Sequence, residues 1–372
     1  MTFPHLWYFC SSPARITIKK MDYSYPILRR VFNYYYHKQL DISDLKIFSC
    51  QHLLAPQYEM YKLFIKFGFD PKNIIVLGKA YSSNKGIILD LQSLGIKVVQ
   101  QEFSGTAFDK EHAMNCRKVV EEMFDTDKNI ILDDGGYLIY EAKKKNVLFA
   151  VEQTSSGFRK LENEILNFPV FNVARSKTKL IEESPIIGNL ICERLKSYFA
   201  YKNILSPKIF IIGLGHIGNS LLNILEKEGF NVTGFDVEKD KDGIISHLRF
   251  EKPDVVIGAT GSSLFDSVDL NQLVGNHVYH FISVSSSDRE FPVAGFRKNS
   301  QVHDDICDRN FVFVNNGFPI TFKGNRYESS PAEIEKTIAL LMGSIMHGVI
   351  KKNERLKGII EIPDILEDLI NS

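Results

Sequence analysis

The residues with the most chemical content lie in one short run, Ile209-Phe210-Ile211-Ile212-Gly213-Leu214-Gly215-His216-Ile217-Gly218. An apolar stretch of strand character meets glycines at G-x-G-x-x-G spacing. An amphipathic run from Asn219 to Glu228 follows, and a second apolar stretch, Val232 to Phe235, ends at Asp236. This order is what a dinucleotide needs. Gly213 permits a tight turn, Gly215 lets a pyrophosphate approach the backbone, and Gly218 lets helix and strand pack closely. The backbone from Gly213 through Gly215, His216 and Ile217 to Gly218 is therefore the expected phosphate cradle, at the positive end of a helix. Asp236 follows at about the 20-residue distance where a carboxylate accepts hydrogen bonds from ribose hydroxyls. Its charge would repel a 2′-phosphate, so NAD is expected over NADP. The competing explanation is a Rossmann-type domain that has lost its cofactor.

Other polar residues fall where further strands should end. Ile47 to Cys50 reads as a strand leading to Gln51-His52-Leu53-Leu54, and Asn73 to Leu77 as a strand entering a polar loop, Gly78 to Asn84. Asn129 to Leu132 runs into Asp133-Asp134-Gly135-Gly136, and Val147 to Val151 into Glu152-Gln153-Thr154-Ser155-Ser156-Gly157. Helical periodicity separates these strands: from about Pro56 to a Gly68 cap, from Lys85 to Leu94, and from Glu111 to Phe124. Strand alternating with helix implies a mainly parallel sheet covered on both faces. Ligands gather beyond the carboxyl ends of such strands. His52, the loop from Lys79, Asp134 and the Glu152–Ser156 run are thus expected to converge on one crevice. Each has a plainer explanation; an Asp-Asp-Gly-Gly run is also ordinary turn chemistry. Within the second polar loop, Lys79 and Tyr81 are candidates to hold an acidic or hydroxylated substrate.

The positioning elements imply an α/β fold with two domains. A Rossmann-type NAD-binding domain, 186–329, is inserted in a second α/β domain with a parallel sheet, 1–185 completed by 330–372. A helix from Ile187 to Tyr201 forms the hinge, and an apolar helix from Glu333 to Ile350 crosses back. The chain has 372 residues, enough for two cores, with 44% hydrophobic and 24% charged residues. Its 45 basic and 45 acidic residues cancel, which argues against nucleic acid as a partner. No apolar run reaches the roughly 18 residues a membrane span requires. Met1 to Cys10 lacks the features of a secretion signal. The five cysteines are scattered and odd in number, which fits a reducing cytoplasm and predicts no metal site.

Several of these motifs, in order, resemble the S-adenosylhomocysteine hydrolase family over about residues 45–350. Ile131 to Gly136 is similar to its I-L-D-D-G-G, Glu152 to Gly157 to its E-E-T-T-T-G, Asn172 to Lys179 to its N-V-N-D-S-V-T-K, Gly213 to Gly218 to its G-Y-G-x-V-G, and Ala259-Thr260-Gly261 to its T-T-G. The resemblance implies a tightly held NAD, recycled within each turnover by transient oxidation of a substrate hydroxyl. It implies that Lys179 polarises the oxidised oxygen and that Asp134 and His52 transfer protons. Gln153 stands where the family's second Glu grips ribose hydroxyls, with Glu152 beside it among the candidate catalytic residues. Thr154, Ser155 and Ser156 would bond the nicotinamide end, with Thr260 and Gly261 also on the cofactor. A homo-oligomer is a further implication, to which the apolar helix adds weight.

The pattern also breaks. The segment from His52 to Pro56 lacks the family's Thr and Glu, Tyr137 replaces its third Asp, and Ser283 to Ser287 lacks its His. These losses fall on base recognition rather than on the cofactor. The expectation is a divergent, NAD-dependent enzyme with an altered pocket for a nucleoside-like or other small-molecule substrate. The alternatives are a non-catalytic NAD-binding pseudoenzyme or regulatory subunit, an authentic S-adenosylhomocysteine hydrolase, and a dehydrogenase that releases reduced cofactor.

Overall fold

A computed structural model describes residues 25–42, 44–125, 128–237, 243–298 and 301–372. The expectation for Met1 to Cys10 lies outside them. The first sheet contains β1 (Lys46–Leu53), β2 (Ile74–Ser83), β3 (Lys97–Val99), β4 (Asn129–Asp133), β5 (Phe149–Glu152) and β6 (Pro169–Asn172). The chain then builds β7 (Lys208–Ile212), β8 (Asn231–Phe235), β9 (Val255–Gly258), β10 (Tyr279–Ser283), β11 (Ile306–Asp308) and β12 (Phe311–Phe313) into a second sheet. It returns with β13 (Gly358–Glu361), which pairs with β6. The first sheet runs β3-β2-β1-β4-β5-β6-β13 and is parallel throughout. The second runs β8-β7-β9-β10-β12-β11, with only β11 antiparallel. The fold is α/β, two parallel-sheet lobes of Rossmann type.

Apolar residues in consecutive positions produce this arrangement, because a parallel strand is buried on both faces. Along β1, β2 and β4, Ile47, Ile74, Val76, Ile130 and Leu132 enter one core layer, while Phe48, Cys50, Ile75, Leu77 and Ile131 enter the other. The second sheet divides the same way, with Phe210, Ile212 and Val256 on one face and Ile209, Ile211 and Val255 on the other. Pro331–Lys351 is a helix started by a Ser330–Glu333 capping box and a first-turn proline. Its Ile338, Leu341, Ile345 and Met346 are buried in the first lobe's own core, beside the helices Pro26–Tyr36 and Ala55–Phe67. Its apolar face is therefore satisfied within one chain and gives no argument for an oligomer.

Both sheets reverse their direction of growth at one place. In the first, β1 lies between β2 and β4; in the second, β7 lies between β8 and β9. Such switch points open a crevice at the carboxyl ends of the strands. His52 and Asp134 follow the first, and Gly213 the second.

Of the expected polar loop Gly78 to Asn84, residues 78–83 are instead the second half of β2, and Asn84 caps the helix that follows. The stretch looks irregular in sequence because the pairing is. Gln51 faces Gly78 but Leu53 faces Ser83, so the four residues from Lys79 to Ser82 stand opposite His52 alone. A bulge of this kind re-aims side chains next to a site.

Candidate functional site

The bulge delivers a buried ionic cluster. Asp134, 2% exposed, contacts the Lys79 ammonium through Oδ1 and lies 3.1 Å from His52 Nε2 through Oδ2. His52 Nδ1 meets the Ser82 hydroxyl, and the imidazole stacks on Phe322 with ring centroids 4.5 Å apart. Burial alone would raise the Asp134 carboxyl, but Lys79 and His52 outweigh it and hold it well below the usual carboxylate range. Burial alone would depress Lys79, but Asp134 outweighs that and raises it. Burial lowers His52 against the pull of Asp134, with the charges of Lys79 and Lys179 adding to the lowering. At neutral pH the cluster is therefore an ammonium, a carboxylate and a neutral imidazole. The ionised carboxylate accepts from Nε2–H, which leaves Nδ1 to accept from the Ser82 hydroxyl.

A second layer of buried polar groups, two acids and an amide, supports the first. In register across β4, β5 and β6 lie Asp133, Glu152 and Asn172. Glu152 Oε1 accepts from the Gly135 N–H at 3.1 Å and from the Thr154 N–H and hydroxyl, each at 2.7 Å. It thus clasps two strand-end loops together. Where they meet, Gly136 has φ of +70°, and a Cβ there would lie 2.9 Å from Gly157 Cα. Burial and the neighbouring Asp133 push Glu152 well above its ordinary value. Burial pushes Asp133 up to about 6. Glu152 acts on the loops rather than as a free base. Gln153 is buried, and among the described residues its side-chain oxygen has no hydrogen-bond partner; nor has either amide atom of Asn172.

Lys179 lies on a π-helical turn, Thr178–Glu183, a feature the periodicity did not reveal. Its ammonium pairs with Glu183 at 2.7 Å. Glu367 of the C-terminal helix holds the turn by accepting from the Lys177 N–H and the Thr178 hydroxyl, each at 2.7 Å. The resemblance gives Lys179 to the oxidised oxygen, and its charge does reach His52. The cation in direct contact with Asp134 is Lys79, which the bulge turns inward. Lys79 is 3% exposed and Tyr81 is 1% exposed, the latter stacked on Phe318. Lys79 is thus committed first to Asp134, not to a substrate.

The second lobe presents backbone rather than charge. Gly213 has φ of +100°, a conformation that favours glycine. A Cβ on Gly218 would come within 1.9 Å of the Gly213 carbonyl oxygen, whereas one on Gly215 would meet nothing within 4 Å among the described residues. The helix His216–Lys227 starts there with no side-chain cap on its first N–H groups. This is the geometry of a phosphate cradle: close packing at Gly218, open space at Gly215, and donors of His216 and Ile217 at a helix N-terminus. Asp236 is half-buried, just past the end of β8. The residues present fit a dinucleotide.

Three of the residues expected at the cofactor have partners within the protein. The Thr260 and Gly261 N–H groups donate to Glu290 Oε1 at 2.6 and 3.1 Å, so that buried acid holds the turn after β9. The Thr154 hydroxyl caps a helix by accepting from the Gly157 N–H at 3.0 Å, and Ser155 is exposed. Ser156 lines the cleft between the lobes, with Lys79, Asp134 and Tyr137 on its side and Ser287 and Arg289 opposite. Arg289 also ties the lobes by its pair with Asp109 at 2.8 Å. Arg289 carried no motif and was missed. Ser82 was missed as the partner of His52.

No family model matches the chain. Two uncharacterized proteins from strains of Mycobacterium tuberculosis are each 29% identical to it over 362 residues, covering 89% of this chain and 70% of theirs. Among solved structures it is similar to a Granulicella formate dehydrogenase (TM-score 0.35, 13% identity, 73% of this chain and 82% of that one). It is also similar to the TT0316 protein of Thermus thermophilus (TM-score 0.38, 10% identity, 85% and 100%). A third is D-2-hydroxyisocaproate dehydrogenase (TM-score 0.28, 11% identity, 65% and 71%). Likeness this loose carries no argument about activity. The resemblance to S-adenosylhomocysteine hydrolase is corrected: no family model matches the chain, and neither of the two relatives carries that name. The motifs behind it are mainly strand-end turns that a doubly wound sheet reuses. Among the described residues no helix is long and apolar enough to cross a membrane.

Proposed function

We propose that the protein is an NAD-dependent oxidoreductase acting on a hydroxyl group, or the corresponding carbonyl, of a small-molecule substrate held between the lobes. The observation that carries this reading is the pairing of two switch points. One has an open glycine cradle fitted to a pyrophosphate, and the other has a buried carboxylate–imidazole–ammonium cluster fitted to proton transfer. Gly213, Gly215, His216, Ile217 and Gly218 would hold the phosphates and Asp236 the ribose. When bound, NAD supplies a hydride acceptor. The chain's own residues then have two tasks. His52, with Asp134 to stabilise its charged form, takes the proton that a hydroxyl loses as it becomes a carbonyl. Arg289, on the opposite wall, places positive charge along the cleft and favours a substrate carrying an oxyanion or carboxylate, while Lys79 keeps Asp134 ionised.

One observation favours NAD binding without turnover: both His52 ring nitrogens are engaged within the protein. The test is direct. NAD and NADP are titrated into the full chain by calorimetry. A panel of small hydroxy acids, polyols and nucleosides is then screened for formation of reduced nicotinamide. Saturable binding of NAD in preference to NADP, with reduction driven by at least one hydroxylated compound, supports the reading. Binding with no reduction on any compound supports the non-catalytic alternative, and no binding of either nucleotide ends both. Sedimentation of the same sample tests whether the chain forms a homo-oligomer.

A further inference from the structure

Two of the five cysteines, far apart in sequence, converge on one histidine. Cys50 lies on β1, and His112 and Cys116 lie one turn apart on the helix Phe108–Met123. Residues at that spacing share a helix face. Cys50 Sγ is 3.2 Å from His112 Nε2 and Cys116 Sγ is 3.8 Å from it. The three potential ligand atoms all lie within 4.8 Å of one another, and all three residues are buried. Zinc bonds sulfur at about 2.3 Å and imidazole nitrogen at about 2.0–2.1 Å, so a tetrahedral centre separates its sulfur and nitrogen ligands by roughly 3.5–3.6 Å. The two observed separations bracket that value.

The histidine is also oriented for the task. Its Nδ1 lies 2.7 Å from Gln101 Oε1, a buried acceptor. The ring therefore donates from Nδ1 and turns the bare Nε2 toward the two thiols. A hydrogen bond from the distal ring nitrogen to a fixed acceptor is how metal-binding histidines are held in one tautomer. Phe108 stacks on the same ring at 5.0 Å between centroids and limits its rotation.

We propose that Cys50, His112 and Cys116 form a zinc site. Binding replaces two thiol protons, released to solvent, by one divalent ion. The loaded site has two thiolates, one neutral imidazole and no net charge, which suits a buried position. The neighbouring Lys79 ammonium would oppose a bare cation, but Asp134 is in direct contact with it. Three protein donors leave the fourth position for water or a small ligand. His112 also lines the cleft, so the site adjoins it. The site does not depend on the NAD reading.

The test uses the full chain, purified under reductant and stripped with a chelator, with Co(II) as the optical probe and Zn(II) as competitor. The expected result is one Co(II) per chain with sulfur-to-cobalt charge-transfer absorption and the intense visible bands of a tetrahedral site. One equivalent of Zn(II) should displace it, and zinc loading of the stripped chain should release two protons. Cys50→Ser and Cys116→Ser should lose the charge-transfer band, while Cys192→Ser and Cys307→Ser keep it. Because substitution of a buried cysteine can disturb folding, Gln101→Leu is the second variant. It leaves all three ligands in place and should weaken Zn(II) by about 10–100-fold. Absence of the cobalt spectrum from the wild type overturns the proposal. So does a thiolate band that survives both Cys50→Ser and Cys116→Ser, or unchanged Zn(II) affinity in Gln101→Leu.

Discussion

The carboxyl ends of the two sheets solve the same architectural problem with opposite materials. Both lie at a switch point, and both are braced by a buried glutamate that accepts from neighbouring loop N–H groups, Glu152 in one and Glu290 in the other. Beyond the brace they diverge. The first sheet ends in buried side-chain charge, with Lys79 and His52 each in contact with Asp134. The second ends in glycine backbone, with an uncapped helix start and open space over Gly215. The difference teaches what each end is suited to. Backbone donors hold an anion without needing to change protonation state, whereas proton transfer needs a group whose charge can change.

Substitutions can break this comparison, and the largest effect is expected at Asp134. Asp134→Asn leaves Lys79 buried without its counter-ion and should cost about 3–5 kcal/mol of stability, seen as a lower denaturation midpoint in urea. NAD binding to the folded fraction should persist, because no charge of the second cradle is touched. His52→Gln comes next, with the rate of nicotinamide reduction falling by about 10²–10⁴-fold. In the wild type that rate should drop on the acid side as His52 protonates. Since burial lowers His52, the midpoint should lie below the ordinary imidazole value of about 6.5. An acid limb that survives His52→Gln unchanged would remove the histidine from the mechanism.

A paired substitution sharpens the contrast within the second lobe. Gly218→Ala forces a Cβ to within 1.9 Å of the Gly213 oxygen and should destabilise by about 1–3 kcal/mol. Gly215→Ala meets open space and should leave stability within about 0.5 kcal/mol while weakening NAD. The smallest effect is at Glu152. Its folded value is raised, so its contribution to stability is fully present below about pH 4.3–4.5 and is lost as pH rises through the folded value. Glu152→Gln keeps the shape without the titration. Its thermal midpoint should therefore fall less than the wild type's as the pH is raised, and identical pH dependence would refute the upward shift of Glu152.

Most of the architecture was legible because buried parallel strands write themselves as unbroken apolar runs, as in Ile130-Ile131-Leu132 and Ile209 to Ile212. The glycine cradle was legible for a different reason, since each glycine answers a local steric demand. What sequence did not disclose were long-range pairings. Nothing near Lys79 says that a bulge turns it toward Asp134, 55 positions away. Nothing in the spacing of Cys50, His112 and Cys116 brings them together before β1 and its neighbouring helix are packed. The family motifs misled for the complementary reason, because Asp-Gly and Thr-Gly turns after strands are demanded by the fold itself.

The central claim is that the cofactor is held by the second lobe and the proton chemistry by the first. The most direct measurement is a calorimetric titration of NAD into the wild type, Asp134→Asn and Gly215→Glu, each checked for folding by circular dichroism. The account predicts wild-type affinity within about twofold for Asp134→Asn and no detectable binding for Gly215→Glu, whose added carboxylate would occupy the phosphate position. Loss of binding in Asp134→Asn together with undiminished binding in Gly215→Glu would contradict it.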